Sequence, residues 1–167
     1  MNLQDALRRV EQSKVFTYWQ KDNEDSYLSS FFKIVEDQEK DWWQIDFYSP
    51  KKDNITSFLI EQDVKIVGKD SKIFKKDHEI INKLDLTTVQ VTDHKAMQIA
   101  HALMQEKYKE LKATKKIVIL QNIKMTLWNI SFITSGLKLL NVRIDAETGD
   151  VLEDSLKNIL DFKRDGE

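Results

Sequence analysis

Two stretches of this chain are written to nearly the same plan. The first is "WWQIDFYSPKKDNITSFLIEQDVKIV", residues 42–67, and the second is "WNISFITSGLKLLNVRIDAETGDVL", residues 128–152. Trp43, Ile45 and Phe47 alternate with Gln44, Asp46 and Tyr48, just as Trp128, Ile130 and Phe132 alternate with Asn129 and Ser131. A period of two is the mark of a strand that buries one face. The three inward positions match at a constant offset of 85 (128 − 43). Pro50 and Asp53-Asn54 break the first strand, and Ser135-Gly136 breaks the second. Return strands follow, over residues 55–60 and through Leu140, Val142 and Ile144. A chain carrying this unit twice points to duplication.

Each strand group is preceded by a helical pattern. Leu3, Ala6, Leu7 and Val10 predict a helix over residues 3–13, with Asn2 as N-cap and Asp5 in the first turn. Ala96, Ile99, Ala100, Leu103, Met104, Tyr108 and Leu111 predict a second, capped by Thr92, with Lys107, Lys109 and Lys112 near its end. Residues 15–26 read as irregular or as the start of a strand, 27–35 as a strand and 36–41 as a polar turn. Short strands are expected at 64–67, 73–74 and 117–120. Asp154-Ser155 reads as the cap of a short C-terminal helix carrying Leu156, Ile159 and Leu160. The expected fold is α+β, with two units each made of a helix packed on an antiparallel meander. One spans residues 1–85. The other spans 86–167 and ends in the short helix.

The 167 residues suit two units of about 80 residues sharing an interface, since each alone would bury a small core. Hydrophobic residues at 41% can fill such cores, while 4 Gly and 1 Pro require short loops built from polar residues. A net charge of −2 gives no overall field for nucleic acid or an anionic membrane, so neither is expected as a partner. Cysteine is absent, which excludes disulfides and thiolate chemistry. The opening "MNLQDALRRVEQS" lacks the apolar run of a signal peptide, and no stretch approaches the roughly 18 apolar residues of a membrane helix. A cytoplasmic protein is the expectation.

"TDHKAMQIAHALMQ", then "IVILQNI", then "LWNISFITSGLKLLNVRIDAETGDVL" resemble the PepSY family over residues 92–152. The closing phrase from Val142 to Leu152 carries most of the likeness. "LQDALRRV" and "WWQIDFY" follow the plan in the first half, where Gly68-Lys69-Asp70 stands in place of the Thr-Gly turn. The resemblance implies cystatin-like units, a helix on a curved antiparallel sheet, and a non-catalytic role in which peptidase inhibition or regulation is one possibility. Tandem PepSY-like proteins of unknown function are similar to this chain.

Chemistry-bearing motifs are sparse. His94 and His101 lie on one side of the second helix, and His78 is the third histidine, but no zinc spacing joins them. "DAETGD" at 145–150 lacks the alternating ligands and closing Glu of a calcium loop; it reads as a turn in which Gly149 takes positive φ and Asp145 and Thr148 bond local amides. No nucleophile elbow or phosphate loop occurs. Asp46 and Glu61 could face each other across a hairpin on the solvent face, where their pKa values would hardly shift. Lys112, Lys115 and Lys116, with Lys51, Lys52, Lys75 and Lys76, read as solvated lysines balanced by acids. No catalytic residue, metal or cofactor is expected.

The aromatics are the better lead. Trp42 must point opposite to Trp43 in a regular strand, Tyr48 shares its face, and Tyr18 and Trp19 are unplaced. Together Trp42, Tyr48, Tyr18 and Trp19 form the candidate interaction surface, unless the two halves bury them against each other. The expected function is a non-enzymatic protein-binding or regulatory module. The alternatives are a small-ligand binder or enzyme with a site between the halves, and a peptidase inhibitor.

Overall fold

A computed structural model of the chain describes residues 1–36, 42–72 and 80–163. The expected turn at 37–41, the strand at 73–74, and His78, Lys75 and Lys76 lie outside these residues. Two compact units form. One comprises Met1–Lys33, Asp41–Leu86 and Gln121–Lys124, and the other Ile34–Lys40, Thr87–Leu120 and Met125–Glu167.

The first unit opens with helix α1 (Leu3–Glu11), whose N-cap Asn2 accepts the Asp5 amide at 2.8 Å. Ser13 then caps a second helix, α2 (Lys14–Gln20), accepting the Phe16 amide at 3.1 Å. Strands β1 (Tyr27–Val35), β2 (Trp43–Ser49), β3 (Asn54–Ile60) and β4 (Val64–Lys72) follow. In β2 and β3, Trp43 pairs with Ile60, Ile45 with Phe58 and Phe47 with Thr56. Trp43, Ile45 and Phe47 are buried together with Ala6 and Val10 of α1. Rings of Phe16, Trp19, Phe47 and Phe58 meet at centroid distances of 4.9–5.7 Å, edge-on or tilted.

The second unit holds α3 (Asp93–Lys107) and strands β5 (Ala113–Asn122), β6 (Thr126–Thr134), β7 (Lys138–Asp145) and β8 (Val151–Asn158). Thr92 caps α3 by accepting the Lys95 amide at 3.2 Å. The helix lies against β6 and β7. It buries Ala96, Ala100 and Met104, while Trp128, Ile130, Phe132, Leu140, Val142 and Ile144 fill the sheet side without residual exposure. Gly149 has φ +84, and Asp145 Oδ1 accepts the amides of Glu147 and Thr148, so residues 145–150 form the turn their composition implies.

The strands correct the expected architecture. They form one eight-stranded antiparallel sheet in the order β4-β3-β2-β1-β5-β6-β7-β8, not two units each with a helix on its own meander. Two separate four-stranded sheets would leave four rows of unpaired backbone groups; a single sheet leaves two. β5 runs ten residues instead of the four expected, because its polar ends "ATKK" and "QN" join the ladder.

Two local expectations also fail. Residues 14–20 are helical rather than irregular, since Ser13 caps a turn whose inward positions, Phe16 and Trp19, have a core to enter. The C-terminal helix expected from Asp154 is instead strand β8, followed by a 3-10 turn at Ile159–Lys163. Pairing with β7 from Lys138↔Asn158 to Ile144↔Val151 satisfies the backbone there, and tertiary hydrogen bonding overrides the helical spacing expected to start at Leu156.

Candidate functional site

The four aromatics singled out by the sequence all fall in the first unit, but in different settings. Trp42 precedes β2 and is 37% exposed. Tyr48 is buried: its ring packs edge-on against Tyr27 at 5.7 Å, and its hydroxyl donates to Asp53 Oδ1 at 2.6 Å. The outer face of β2 is therefore covered at this point, against the expectation of a solvent face. Trp19 is also buried, with its indole donating to Thr56 Oγ1 at 3.2 Å. Tyr18, one residue earlier, is 75% exposed.

This contrast follows from α2. With about 3.6 residues per turn, Phe16 and Trp19 share the inward face, while Val15, Tyr18 and Asp22 share the outward one. The outward face borders an open groove of about 480 Å³. Lys14, Val15, Tyr18 and Asp22 form one wall; Ile66 and Lys69 of β4 and Lys52 of the β2–β3 turn supply others; Trp19 and Asn23 complete the lining. Trp42 and Tyr48 are not among the lining residues.

Hydrogen bonds hold the turn that carries Lys52. Asp25 accepts from Ser49 Oγ and from the Lys51 amide, both at 2.9 Å. The Lys51 amide bond keeps the Asp25 carboxyl below its ordinary value; desolvation opposes it, and the Ser49 contact adds to the lowering. Lys52 Nζ donates to the Asp22 carbonyl and to Asn23 Oδ1, each at 2.8 Å, and Asn23 Nδ2 donates to the Trp19 carbonyl at 2.7 Å. Both acceptors of Lys52 are uncharged, so neither bond is an ion pair. Three lysines and one aspartate thus line the groove, with Tyr18 and Val15 as its apolar rim. Such a surface suits an anionic partner that also offers an apolar group.

The other groups considered from the sequence do not converge. Asp46 is buried in β2 opposite Ser57, accepting from Ser30 Oγ at 2.7 Å and Gln44 Nε2 at 2.9 Å. Glu61 sits beyond the end of β3 and pairs with Lys65, so the two carboxylates do not oppose each other. His94 is exposed, and the His101 ring lies 6.5 Å from that of Phe132. Among the described residues no three His, Cys, Asp or Glu side chains gather to hold a metal. Lys115 is paired with Glu36 at 2.9 Å. Sequence reading missed Lys14, Val15, Asp22, Asn23, Ile66 and Lys69, and took Lys52 only as a solvated lysine; the signal that could have found the first four was the Ser13 cap followed by two inward aromatics three apart.

Comparison with known proteins gives a fold and nothing finer. No protein-family model and no curated protein matches the chain. A crystal structure of "a putative lipoprotein" from Clostridium difficile 630 is similar, with TM-score 0.55 and 17% identity over 94% of this chain and 93% of that one. At that identity the likeness concerns the fold alone.

Proposed function

We propose that this chain is a non-enzymatic protein-binding module, and that the groove beside Tyr18 receives an acidic segment of its partner. The observation that carries the reading is a 75%-exposed tyrosine on the rim of a groove bearing three lysines against one aspartate. Tyrosine is a recurrent anchor at interfaces, because it offers a rigid apolar ring and a polar tip. The lysines steer acidic partners toward it. The test is capture of partners from native lysate, then titration of the captured partner and of acidic and basic peptides. Tyr18→Ala should weaken the wild-type interaction tenfold or more, and Lys14→Glu with Lys69→Glu should abolish the preference for acidic peptides. Unchanged binding by both variants sinks the reading.

The groove volume also lies within the range of small-molecule sites, roughly 300–1,000 Å³. A small anionic ligand is therefore the second reading, supported if a thermal-shift screen finds a ligand whose effect disappears in Tyr18→Ala. The PepSY resemblance of residues 92–152 adds a peptidase as one partner class, tested by whether the protein slows a thermolysin-like peptidase. For location, the cytoplasm stands as our proposal. The lipoprotein description of the structural neighbour names the competing one, and cell fractionation decides between them.

A further inference from the structure

The two edges of the sheet are β4 and β8, and they differ in how much apolar surface they expose. β4 carries Lys65 and Lys69, and its pairing with β3 shifts register twice. Lysines and bulges are the usual means of stopping another strand from adding to an edge. β8, "VLEDSLKN", carries Lys157 and one register shift against β7, but it exposes more apolar surface: Val151 (40%), Leu152 (44%) and Leu156 (38%), with Leu160 (52%) just beyond it, against Val67 (49%) on β4. Among the described residues no strand lies outside it.

We propose that β8 is a dimerisation edge, on which a second copy of this chain pairs its own β8 antiparallel about Ser155. A twofold axis perpendicular to the sheet keeps each face continuous, and the side-chain alternation then requires the axis to pass through a residue position. Centring on Asp154 would set that carboxylate against its own copy, which is unfavourable. Centring on Leu156 would place Ser155 opposite the partner's Lys157 and leave Glu153 opposite Ile159, with no charge matched. Centring on Ser155 places Glu153 opposite the partner's Lys157, and by symmetry the reverse, so the interface gains two opposite-charge pairs. Glu153 already holds Arg143 at 3.1 Å on this face, so each pair would extend an existing ion pair. On the other face Leu156 becomes diagonal to its own copy, about 7–8 Å away and within reach of aliphatic side chains. Asp154, opposite the partner's Leu156 in this register, has its charge held by Lys107 at 2.7 Å and by the Tyr108 hydroxyl.

Sedimentation equilibrium and light scattering test this directly. The wild type is expected to approach twice the 19.7 kDa monomer mass as concentration rises. Glu153→Lys sets like charges opposite each other and should give a folded monomer by circular dichroism, and Glu153→Lys with Lys157→Glu should restore the dimer. The chain has no cysteine, so a single Ser155→Cys gives one thiol per copy. Paired strands hold directly opposite Cα atoms about 4.5–5.5 Å apart, within the span of a disulfide. Oxidised Ser155→Cys should therefore run as a covalent dimer, while Thr17→Cys on α2 should not. A wild type that stays monomeric at the highest attainable concentration overturns the proposal. So does a dimer that survives Glu153→Lys and fails to crosslink through position 155.

Discussion

The indole nitrogen of Trp128 donates a 2.9 Å hydrogen bond to the carbonyl of Val91. Val91 immediately precedes Thr92, the cap of α3, so the buried tryptophan of β6 fixes where that helix starts on the sheet. The first unit contains the same relation: Trp43 Nε1 donates to the carbonyl of Met1 at 3.3 Å, and Met1 immediately precedes the cap Asn2 of α1. In each helix the alanine four residues after the cap, Ala6 or Ala96, is fully buried. Trp128→Phe keeps most of the apolar bulk but leaves the Val91 carbonyl without this donor. A loss of about 1–3 kcal/mol is expected. Trp43→Phe breaks a longer bond and should cost less, about 0.5–1.5 kcal/mol. Urea unfolding of both variants measures the difference; equal costs would show that the helix-start contact contributes little.

Tyr18 and Trp19 are adjacent in sequence and should behave oppositely. Trp19 contacts Phe16, Phe47 and Phe58 from inside the core, so Trp19→Ala is expected to cost about 3–5 kcal/mol. Tyr18 is largely in solvent, with Lys21 Nζ 6.0 Å above its ring. Tyr18→Ala should therefore leave stability within about 0.5 kcal/mol while removing partner binding. Denaturant unfolding beside a binding titration separates the two effects. A large stability loss in Tyr18→Ala would mean that the residue is structural.

What could be read in advance was whatever a local pattern decides. Alternation located Trp43, Ile45 and Phe47 and their counterparts in β6, and the Thr92 cap located α3. The "AETGD" turn was readable because a positive φ beside short polar side chains leaves few other conformations. Reading failed where pairing partners decide. Leu156, Ile159 and Leu160 sit at helical spacing, yet β7 offers a ladder that takes residues up to Asn158 as a strand and leaves Ile159 and Leu160 in a 3-10 turn. The polar ends of β5 look like loop until a neighbouring strand accepts their backbone groups. α2 shows only two inward side chains over seven residues, too few for periodicity to reveal. The groove was half visible through Tyr18 and Trp19. Its remaining walls, Lys52, Ile66 and Lys69, lie more than thirty residues away and join it only after β2, β3 and β4 have paired.

Gly149 and Gly136 make a controlled pair. Gly149 has φ +84, in a region costing an L residue about 1–2 kcal/mol, so Gly149→Ala should destabilise by about that amount. The space itself is adequate: an added Cβ would lie 3.4 Å from Ile99 Cδ1 and 3.6 Å from Val91 Cγ2, ordinary contacts. Gly136 has no positive φ, and its nearest neighbour to an added Cβ, Thr134 Oγ1, is 3.9 Å away. Gly136→Ala should be neutral within about 0.5 kcal/mol. Equal thermal shifts for the two variants would exclude backbone conformation as the cause.

Asp154 gives the fold a pH dependence that can be isolated. Its carboxyl accepts from Lys107 and from the Tyr108 hydroxyl, and these bonds, Lys107 first, hold its pKa below the ordinary 3.8 despite some burial. A depressed carboxyl contributes stability that is present above the unfolded value and is lost as pH falls through the folded one. The partners are shifted the other way. The hydrogen bond to Asp154 raises Tyr108 above 10.0, helped by burial, and the same carboxylate raises Lys107 above 10.5. Their contribution is present below those values and is lost as pH rises through the folded ones. Stability should therefore fall on both sides of a neutral plateau. Asp154→Asn, which removes the charge but keeps the size, should flatten the acid limb below 3.8 and the alkaline limb above 10. Urea unfolding across that range measures both limbs, and parallel profiles for wild type and Asp154→Asn would show that this cluster does not govern them.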